Sequence, residues 1–205
     1  MIVKICGITR PQDAALATEL GALAIGFIFW PSSPRVVSVE RAGEIARSLP
    51  PQVLTVGVFV NAAADTIERT VETIGLGAVQ LHGDESPSLA AGLSRPVIKA
   101  LSLGEALEDQ LELWHDATVL LDAHDPERYG GTGKTIDWDR AASVAARRRV
   151  FLAGGLNAGN VAAGVARVRP AGIDVSSGVE VSPGIKDAEK LRALFEALAG
   201  MEAVQ

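Results

Sequence analysis

Short apolar runs rich in Val, Ile and Phe recur along the whole chain, and each is bounded by Gly, Pro or polar residues. Runs of this kind are typical of buried β-strands. Eight of them are present, at residues 3–8, 24–29, 54–60, 78–82, 96–101, 118–122, 150–153 and 172–176. They divide the 205 residues into units of about 26 residues each.

Between these runs, apolar residues recur with the spacing of an amphipathic helix, as in Leu191, Leu194 and Leu198. Strands that are apolar on both faces and alternate with single helices indicate parallel βα units. Eight units in succession predict an α/β protein of the closed (β/α)8 TIM barrel type, with an open doubly wound sheet as the alternative. No linker or change in composition interrupts the pattern, so we expect residues 1–205 to form a single domain.

Composition and charge narrow the possible partners. The chain carries 19 Lys and Arg against 25 Asp and Glu, a formal net charge of −6, which argues against a nucleic acid or an anionic membrane as partner. Its 48% hydrophobic and 21% charged residues are typical of a globular protein. The longest nearly uncharged apolar stretch, residues 21–30, is about half the length of a membrane span.

A single cysteine, Cys6, excludes an intramolecular disulfide and a zinc site with several cysteines. The first residues lack the basic and then apolar layout of a signal peptide. We therefore expect a protein of the cytoplasm, a reducing compartment.

Candidate chemistry lies where the predicted strands end. In a (β/α)8 barrel the active site forms at these carboxyl ends and in the loops that follow them. The residues found there are Cys6, His82, Asp122, Gly154, Gly155, Ser176, Ser177 and Gly178. One such residue alone would be interpreted as a cap or a turn, but so many together predict a functional site.

Several familiar motifs are absent. Residues 130–135 look like a phosphate-binding P-loop, but Arg128 stands where that motif requires its first glycine. No G-x-G-x-x-G motif opens a helix after a strand, and the three histidines, His82, His115 and His124, are scattered. The sequence therefore predicts neither a cofactor nor a metal.

Six segments taken together resemble the phosphoribosylanthranilate isomerase family of tryptophan biosynthesis. They are residues 4–9 (KICGIT), 26–29 with 33–35 (GFIF and SPR), 80–83 (QLHG), 121–122 with 130–133 (LD and GGTG), 153–156 (AGGL) and 174–180 (DVSSGVE). The resemblance extends from residue 2 to about residue 199.

This resemblance implies a (β/α)8 barrel that converts N-(5-phosphoribosyl)anthranilate to 1-(2-carboxyphenylamino)-1-deoxyribulose 5-phosphate by an Amadori rearrangement, without a cofactor. A general acid protonates the furanose ring oxygen, and the ring opens to a Schiff base. A general base then removes the proton on C2, and the enolamine relaxes to the ketone. By resemblance, Cys6 is the base and Asp122 is the acid.

The residues around Cys6 suit a base. An unperturbed thiol is mostly protonated at neutral pH, so a nearby positive charge would favour the thiolate. Lys4 lies two residues earlier on the same strand and therefore points to the same face as Cys6. We expect Lys4 in the barrel interior, paired with Asp174 on the adjacent eighth strand. The alternative is that Lys4 makes a buried ion pair and does nothing more.

Asp122 ends an apolar run, where a carboxylate costs free energy unless it is paired or hydrogen-bonded. The sixth strand lies nearly opposite the first, so the predicted acid and base would flank a bound sugar. The alternative interpretation of Asp122 is a cap of a helix or loop.

The remaining candidates concern substrate binding. Gly154, Gly155 and the segment 176–178 follow the seventh and eighth strands, where barrels commonly hold a phosphate through backbone N–H groups. Arg35, by resemblance, would grip the anthranilate carboxylate with two parallel hydrogen bonds. For His82, a contact with the ligand and a hydrogen bond within its own loop remain equal alternatives. The long glycine-rich loop 123–136 fits a lid.

Other functions are left open at this point. One alternative is the related isomerase of histidine synthesis, although that family resembles a two-fold repeat with a carboxylate at the end of its first strand. Another is a metal-dependent epimerase, which would need more His and acidic ligands at strand ends. A third is a barrel that binds phosphorylated metabolites without turning them over. The expected partner is a small phosphorylated sugar, and the protein is either a monomer or a homodimer.

Overall fold

The barrel is closed. The computed structural model describes residues 1–123 and 136–202 of the chain, and within these ranges eight parallel strands pair in chain order, with β8 hydrogen-bonded to β1. The strands are β1 (Ile2–Cys6), β2 (Ala24–Ile28), β3 (Leu54–Phe59), β4 (Ala78–Leu81), β5 (Val97–Ser102), β6 (Thr118–Asp122), β7 (Val150–Leu152) and β8 (Gly172–Val175). The prediction of a (β/α)8 barrel is confirmed, and the open sheet is wrong.

An α-helix follows each barrel strand, and after β8 two short strands come before it. The helices are α1 (Pro11–Glu19), α2 (Val39–Ser48), α3 (Ala64–Ile74), α4 (Pro87–Ala91), α5 (Leu107–Leu113), α6 (Trp138–Ala145), α7 (Val161–Val168) and α8 (Ala188–Glu202). Among the helices of the described residues, none has both the length and the apolar character needed to cross a membrane.

Strand alternation sorts the side chains into two cores. One lies between strands and helices and contains Val3 and Ile5 of β1. The other fills the barrel interior. Its apolar members are Ala24, Val56, Ala78, Ile98, Ala100, Leu120, Phe151 and Ala153. The interior also takes the opposite face of β1, which carries Lys4 and Cys6.

The first strand is shorter than predicted. It ends at Cys6 because Gly7 has a φ of +72°, a left-handed conformation that does not continue a strand. A Cβ atom at Gly7 would lie 2.8 Å from Cδ of Arg35 and 3.1 Å from Oγ of Ser176. The chain therefore turns sharply just after the predicted base.

An unpredicted hairpin follows β8. A short 3-10 helix (Ser177–Val179) leads into β9 (Glu180–Ser182), which pairs antiparallel with β10 (Ile185–Lys186). Both strands are too short to show an alternating pattern in the sequence. The hairpin brings Glu180 and Lys186 beside the carboxyl end of β1.

Candidate active site

The predicted ion pair next to Cys6 is present. Lys4 is fully buried in the barrel interior, and its Nζ lies 2.9 Å from Oδ1 of Asp174. The two residues are register partners in the pairing of β1 with β8. Asp174 is therefore the counter-ion of Lys4, and a contact between Asp174 and substrate stays a prediction.

Two opposing effects act on Cys6. Burial raises the pKa of the thiol above its ordinary value, and the Lys4 ammonium acts against that rise. Burial also opposes the charge of Lys4, but Asp174 and Cys6 outweigh it and leave the pKa of Lys4 raised. Lys4 is thus a fixed positive charge beside the thiol, which compensates only part of the effect of burial.

At the end of β6, Asp122 is buried and contacts His82. Its Oδ1 accepts a hydrogen bond of 2.7 Å from the backbone N–H of Ala123, and its Oδ2 lies 3.3 Å from Nε2 of His82. The sequence predicted that His82 contacts either the ligand or its own loop, and did not predict this contact with Asp122. This contact places His82 within the candidate active site.

Gln80 orients the His82 ring. Its Nε2 lies 2.9 Å from Nδ1 of His82, and Gln80 is almost completely buried. An amide nitrogen can only donate, so Nδ1 is the acceptor and the ring proton of neutral His82 is on Nε2, facing Asp122. Sequence reasoning missed Gln80, although strand alternation places it on the same face as His82, two residues later.

The two predicted phosphate loops pack against each other. Gly154 and Gly155 follow β7 with φ angles of +83° and +60°, and a Cβ atom at Gly178 would overlap the carbonyl oxygen of Leu156. The side-chain amide of Asn160 donates to the Gly155 carbonyl at 2.9 Å. The loops after β7 and β8 therefore form one continuous surface at the barrel mouth.

Next to this surface, Ser176 precedes the 3-10 helix and Ser177 is its first residue, and both are partly buried. The Ser176 carbonyl accepts a hydrogen bond of 3.2 Å from Lys186, and its Oγ has no partner among the described residues. Phosphate binding by these residues remains a prediction.

Arg35 forms an ion pair with Glu180, a contact that the sequence did not predict. Its guanidinium donates to Glu180 from Nε at 3.0 Å and from Nη2 at 2.8 Å, and the Arg35 side chain is 11% exposed. Glu180 also accepts a 2.7 Å hydrogen bond from Lys186. Arg35 is therefore a buried, ion-paired residue, and a contact with a substrate carboxylate is untested.

A cavity of about 640 Å³ opens beside His82 and Asp122. Its wall continues along residues 83–87, Ser102 at the end of β5 and the loop between β5 and α5, including Gly104. This volume lies in the range of small-molecule sites.

The predicted lid falls largely in residues 124–135, outside the described residues, as do His124 and the glycine-rich segment 130–133.

The chain matches a known protein family over most of its length. The family model described as N-(5'-phosphoribosyl)anthranilate isomerase matches residues 3–197. The chain belongs to this isomerase family. This is the family that the six sequence segments resemble.

Named members of the isomerase family match almost the whole chain. The N-(5'-phosphoribosyl)anthranilate isomerase of Pelobacter propionicus is 50% identical over 191 residues, which cover 93% of this chain and 91% of that protein. The crystal structure of the Thermus thermophilus phosphoribosyl anthranilate isomerase is 43% identical, with a TM-score of 0.90, and covers 98% of this chain and 100% of that one.

A further family structure contains reduced 1-(o-carboxyphenylamino)-1-deoxyribulose 5-phosphate. It is 38% identical to this chain, with a TM-score of 0.87, and covers 98% of this chain and 100% of that one. Family membership confirms the predicted activity: the chain is an isomerase of the aldose-ketose type in tryptophan biosynthesis.

In this phosphoribosylanthranilate isomerase family member, the described residues contain no group of three or more His, Cys, Asp or Glu side chains arranged to hold a metal ion.

Sequence reasoning found Lys4 and Asp174 but missed Lys186. Lys186 follows a Pro-Gly turn in a polar segment, a pattern that is typical of a solvated loop. In the structure it is one of the buried lysines.

Proposed function

We propose that this chain rearranges N-(5-phosphoribosyl)anthranilate to 1-(2-carboxyphenylamino)-1-deoxyribulose 5-phosphate with Cys6 as general base and Asp122 as general acid. The observation that carries the assignment is their placement at the carboxyl ends of β1 and β6. In the closed ring, β7 and β8 separate these strands on one side. Two proton-transferring groups at the same barrel mouth, on different sides of it, suit a reaction with two proton transfers at different atoms.

In the first step, Asp122 in its protonated form donates a proton to the furanose ring oxygen, and the C1–O bond breaks to give a protonated Schiff base. The Nε2–H of neutral His82 faces the resulting Asp122 carboxylate and stabilises its charge. Gln80 keeps that tautomer in place. The cavity beside His82 and Asp122 leaves space next to the acid for the ligand.

In the second step, the Cys6 thiolate removes the proton on C2, the electron pair of the broken C2–H bond forms a C1=C2 double bond, and the C=N electron pair returns to nitrogen. The enolamine then relaxes to the ketone as C1 takes up a proton and the C2 hydroxyl group releases one. Lys4, fully buried beside Cys6, stabilises the negative charge of the thiolate before this transfer. The predicted lid over this reaction stays a prediction.

Substrate binding is assigned to two groups. The packed loops after β7 and β8, with Gly154, Gly155 and residues 176–178, would hold the phosphate through backbone N–H groups. Arg35 would meet the anthranilate carboxylate while Glu180 fixes its guanidinium. We also place the enzyme in the cytoplasm, because its single cysteine suits a reducing compartment.

The activity is tested by mixing the purified protein with phosphoribosylanthranilate generated in situ and following the substrate's fluorescence. We expect the fluorescence to fall at a rate proportional to the concentration of the protein. A signal that decays no faster than without protein contradicts the proposed function.

Replacing Gly155 by Val is expected to weaken substrate binding. The φ of +60° at Gly155 strains a β-branched residue, so the loop shifts and its N–H groups lose their aim at the phosphate. Loss of even one hydrogen bond to a charged group raises KM by about 10-fold or more. Initial-rate kinetics by the fluorescence assay measure this change.

A matched control is Gly75→Val. Gly75 caps α3 with a φ of +78°, so the substitution introduces similar backbone strain, but a Cβ atom there has nothing within 4 Å. Both variants should lose similar thermal stability, whereas only Gly155→Val should change KM. An unchanged KM in Gly155→Val would show that the phosphate binds elsewhere.

A further inference from the structure

The hairpin after β8 inserts a buried lysine beside the predicted base. The Lys186 side chain is 0% exposed, and its Nζ donates to the Cys6 carbonyl at 2.6 Å and to Oε1 of Glu180 at 2.7 Å. A third hydrogen bond of 3.2 Å reaches the Ser176 carbonyl. Lys186 thus joins the end of β1, the end of β8 and the hairpin at the position where Cys6 stands.

The charges around Cys6 do not cancel. Within the part of the chain that the structure describes, three cations and two anions form the buried cluster on this side of the barrel mouth. They are Lys4, Arg35 and Lys186 against Asp174 and Glu180. One positive charge is therefore in excess, and burying an uncompensated charge is costly. Ionisation of the Cys6 thiol would supply the missing negative charge.

Other charged groups near Lys186 do not change this count. Arg10 and Asp13 form an ion pair of 2.7 Å, and they contact the backbone of Lys186. Asp122 faces His82 from β6, which two strands separate from β1. The excess charge thus remains on the side of Cys6.

The pKa shifts of Lys186 and Glu180 have the direction expected from an excess of positive charge in the cluster. Burial lowers the pKa of Lys186, although Glu180 and Cys6 oppose that effect. Burial acts to raise the pKa of Glu180, but Arg35 and Lys186 outweigh it, and the carboxyl stays below its ordinary pKa. The Lys186 ammonium is therefore a destabilised charge that a neighbouring thiolate would stabilise.

We propose that Lys186 is a positioning residue for Cys6, which fixes the end of β1 through the Cys6 carbonyl and supplies a second positive charge that favours the thiolate. Its importance for turnover rests on the proposed role of Cys6 as the base. The electrostatic effect on the thiol does not, and it can be measured without substrate.

The test is a titration of Cys6 through its rate of alkylation by iodoacetamide as a function of pH. Cys6 is the only cysteine of the chain, so the reaction reports a single thiol. In Lys186→Met, loss of a cation should move the midpoint up by about one pH unit or more. In Glu180→Gln, loss of an anion should move it down, because the excess positive charge increases.

Two further variants calibrate the measurement. Lys4→Met should raise the midpoint, since Lys4 acts on the same thiol. Lys190→Met should leave the midpoint unchanged, because Lys190 is exposed. Its Nζ donates a hydrogen bond to the Glu180 carbonyl and so links the same hairpin to α8. Lys190→Met thus removes a cation and a tether of the hairpin, but not the buried charge.

The proposal is supported if the midpoint of Cys6 alkylation moves up in Lys186→Met and down in Glu180→Gln. General loosening of the hairpin would instead move both midpoints in the same direction or leave both unchanged. A midpoint in folded Lys186→Met equal to that of the wild type overturns the proposal. If Lys186→Met does not fold, Glu180→Gln decides, and the absence of a downward displacement overturns the proposal. Full turnover in Cys6→Ala would remove the base assignment and leave the thiol measurement valid.

Discussion

Asp122→Asn is expected to lower kcat by a factor on the order of 10² or more while KM changes little. The amide keeps the shape of the carboxyl group, and its oxygen can still accept the hydrogen bond from the N–H of Ala123. It has no proton to give to the furanose oxygen. Its nitrogen would also face the Nε2–H of His82, donor against donor, and displace the ring from its present tautomer. Steady-state rates from the fluorescence assay give both constants.

A matched exchange separates this effect from a general loss of charge. Asp65→Asn makes the same change at an exposed position in the first turn of α3 and should leave kcat and KM at their original values. Thermal unfolding of both variants tests whether the fold is kept. A folded Asp122→Asn enzyme with the kcat of the wild type would refute the assignment of Asp122 as the acid.

Cys6→Ala is expected to lower kcat by a similar factor, on the order of 10² or more, because the chain has no second cysteine to supply a thiolate at C2 of the substrate. Binding should persist, since the predicted phosphate loops and Arg35 are unchanged. The same assay measures the rate, and titration of substrate fluorescence on mixing measures the affinity.

Cys6→Ser distinguishes chemistry from packing. The hydroxyl is close to the thiol in volume, so a packing role would be largely restored in this variant. A hydroxyl ionises far less readily than a thiol, so the catalytic role predicts a loss comparable to that of Cys6→Ala. Recovery of most of the turnover in Cys6→Ser would contradict the assignment of Cys6 as the base.

Local pattern predicts the barrel because each strand is a short apolar run and each helix repeats its apolar residues with a period of 3.6. The same alternation predicts that Lys4 shares a face with Cys6, and the adjacency of β1 and β8 predicts its pairing with Asp174, which the structure confirms. Strand ends are less predictable. Residues 3–8 were expected as a strand, and only the positive φ of Gly7 explains why it stops at Cys6.

Contacts between distant polar residues are beyond such reasoning. Glu180 belongs to a recognisable segment, but its pairing with Arg35 joins a short strand and a loop 145 positions apart, whose relative position no local pattern determines. Gln80 lies two residues before His82 on the same face, so the pair could have been inferred from strand alternation alone. Lys186 could not, because a two-residue strand carries no periodicity.

The hydrogen bond from Lys186 to the Cys6 carbonyl has a consequence for the order in which the enzyme is made and folded. It spans 180 positions, and β1 closes the barrel only against β8. During synthesis, Cys6 leaves the ribosome 180 residues before its partner Lys186. The nascent chain therefore cannot assemble its active site until β8 and the hairpin have emerged, and closure of the barrel is a long-range, slow event in folding.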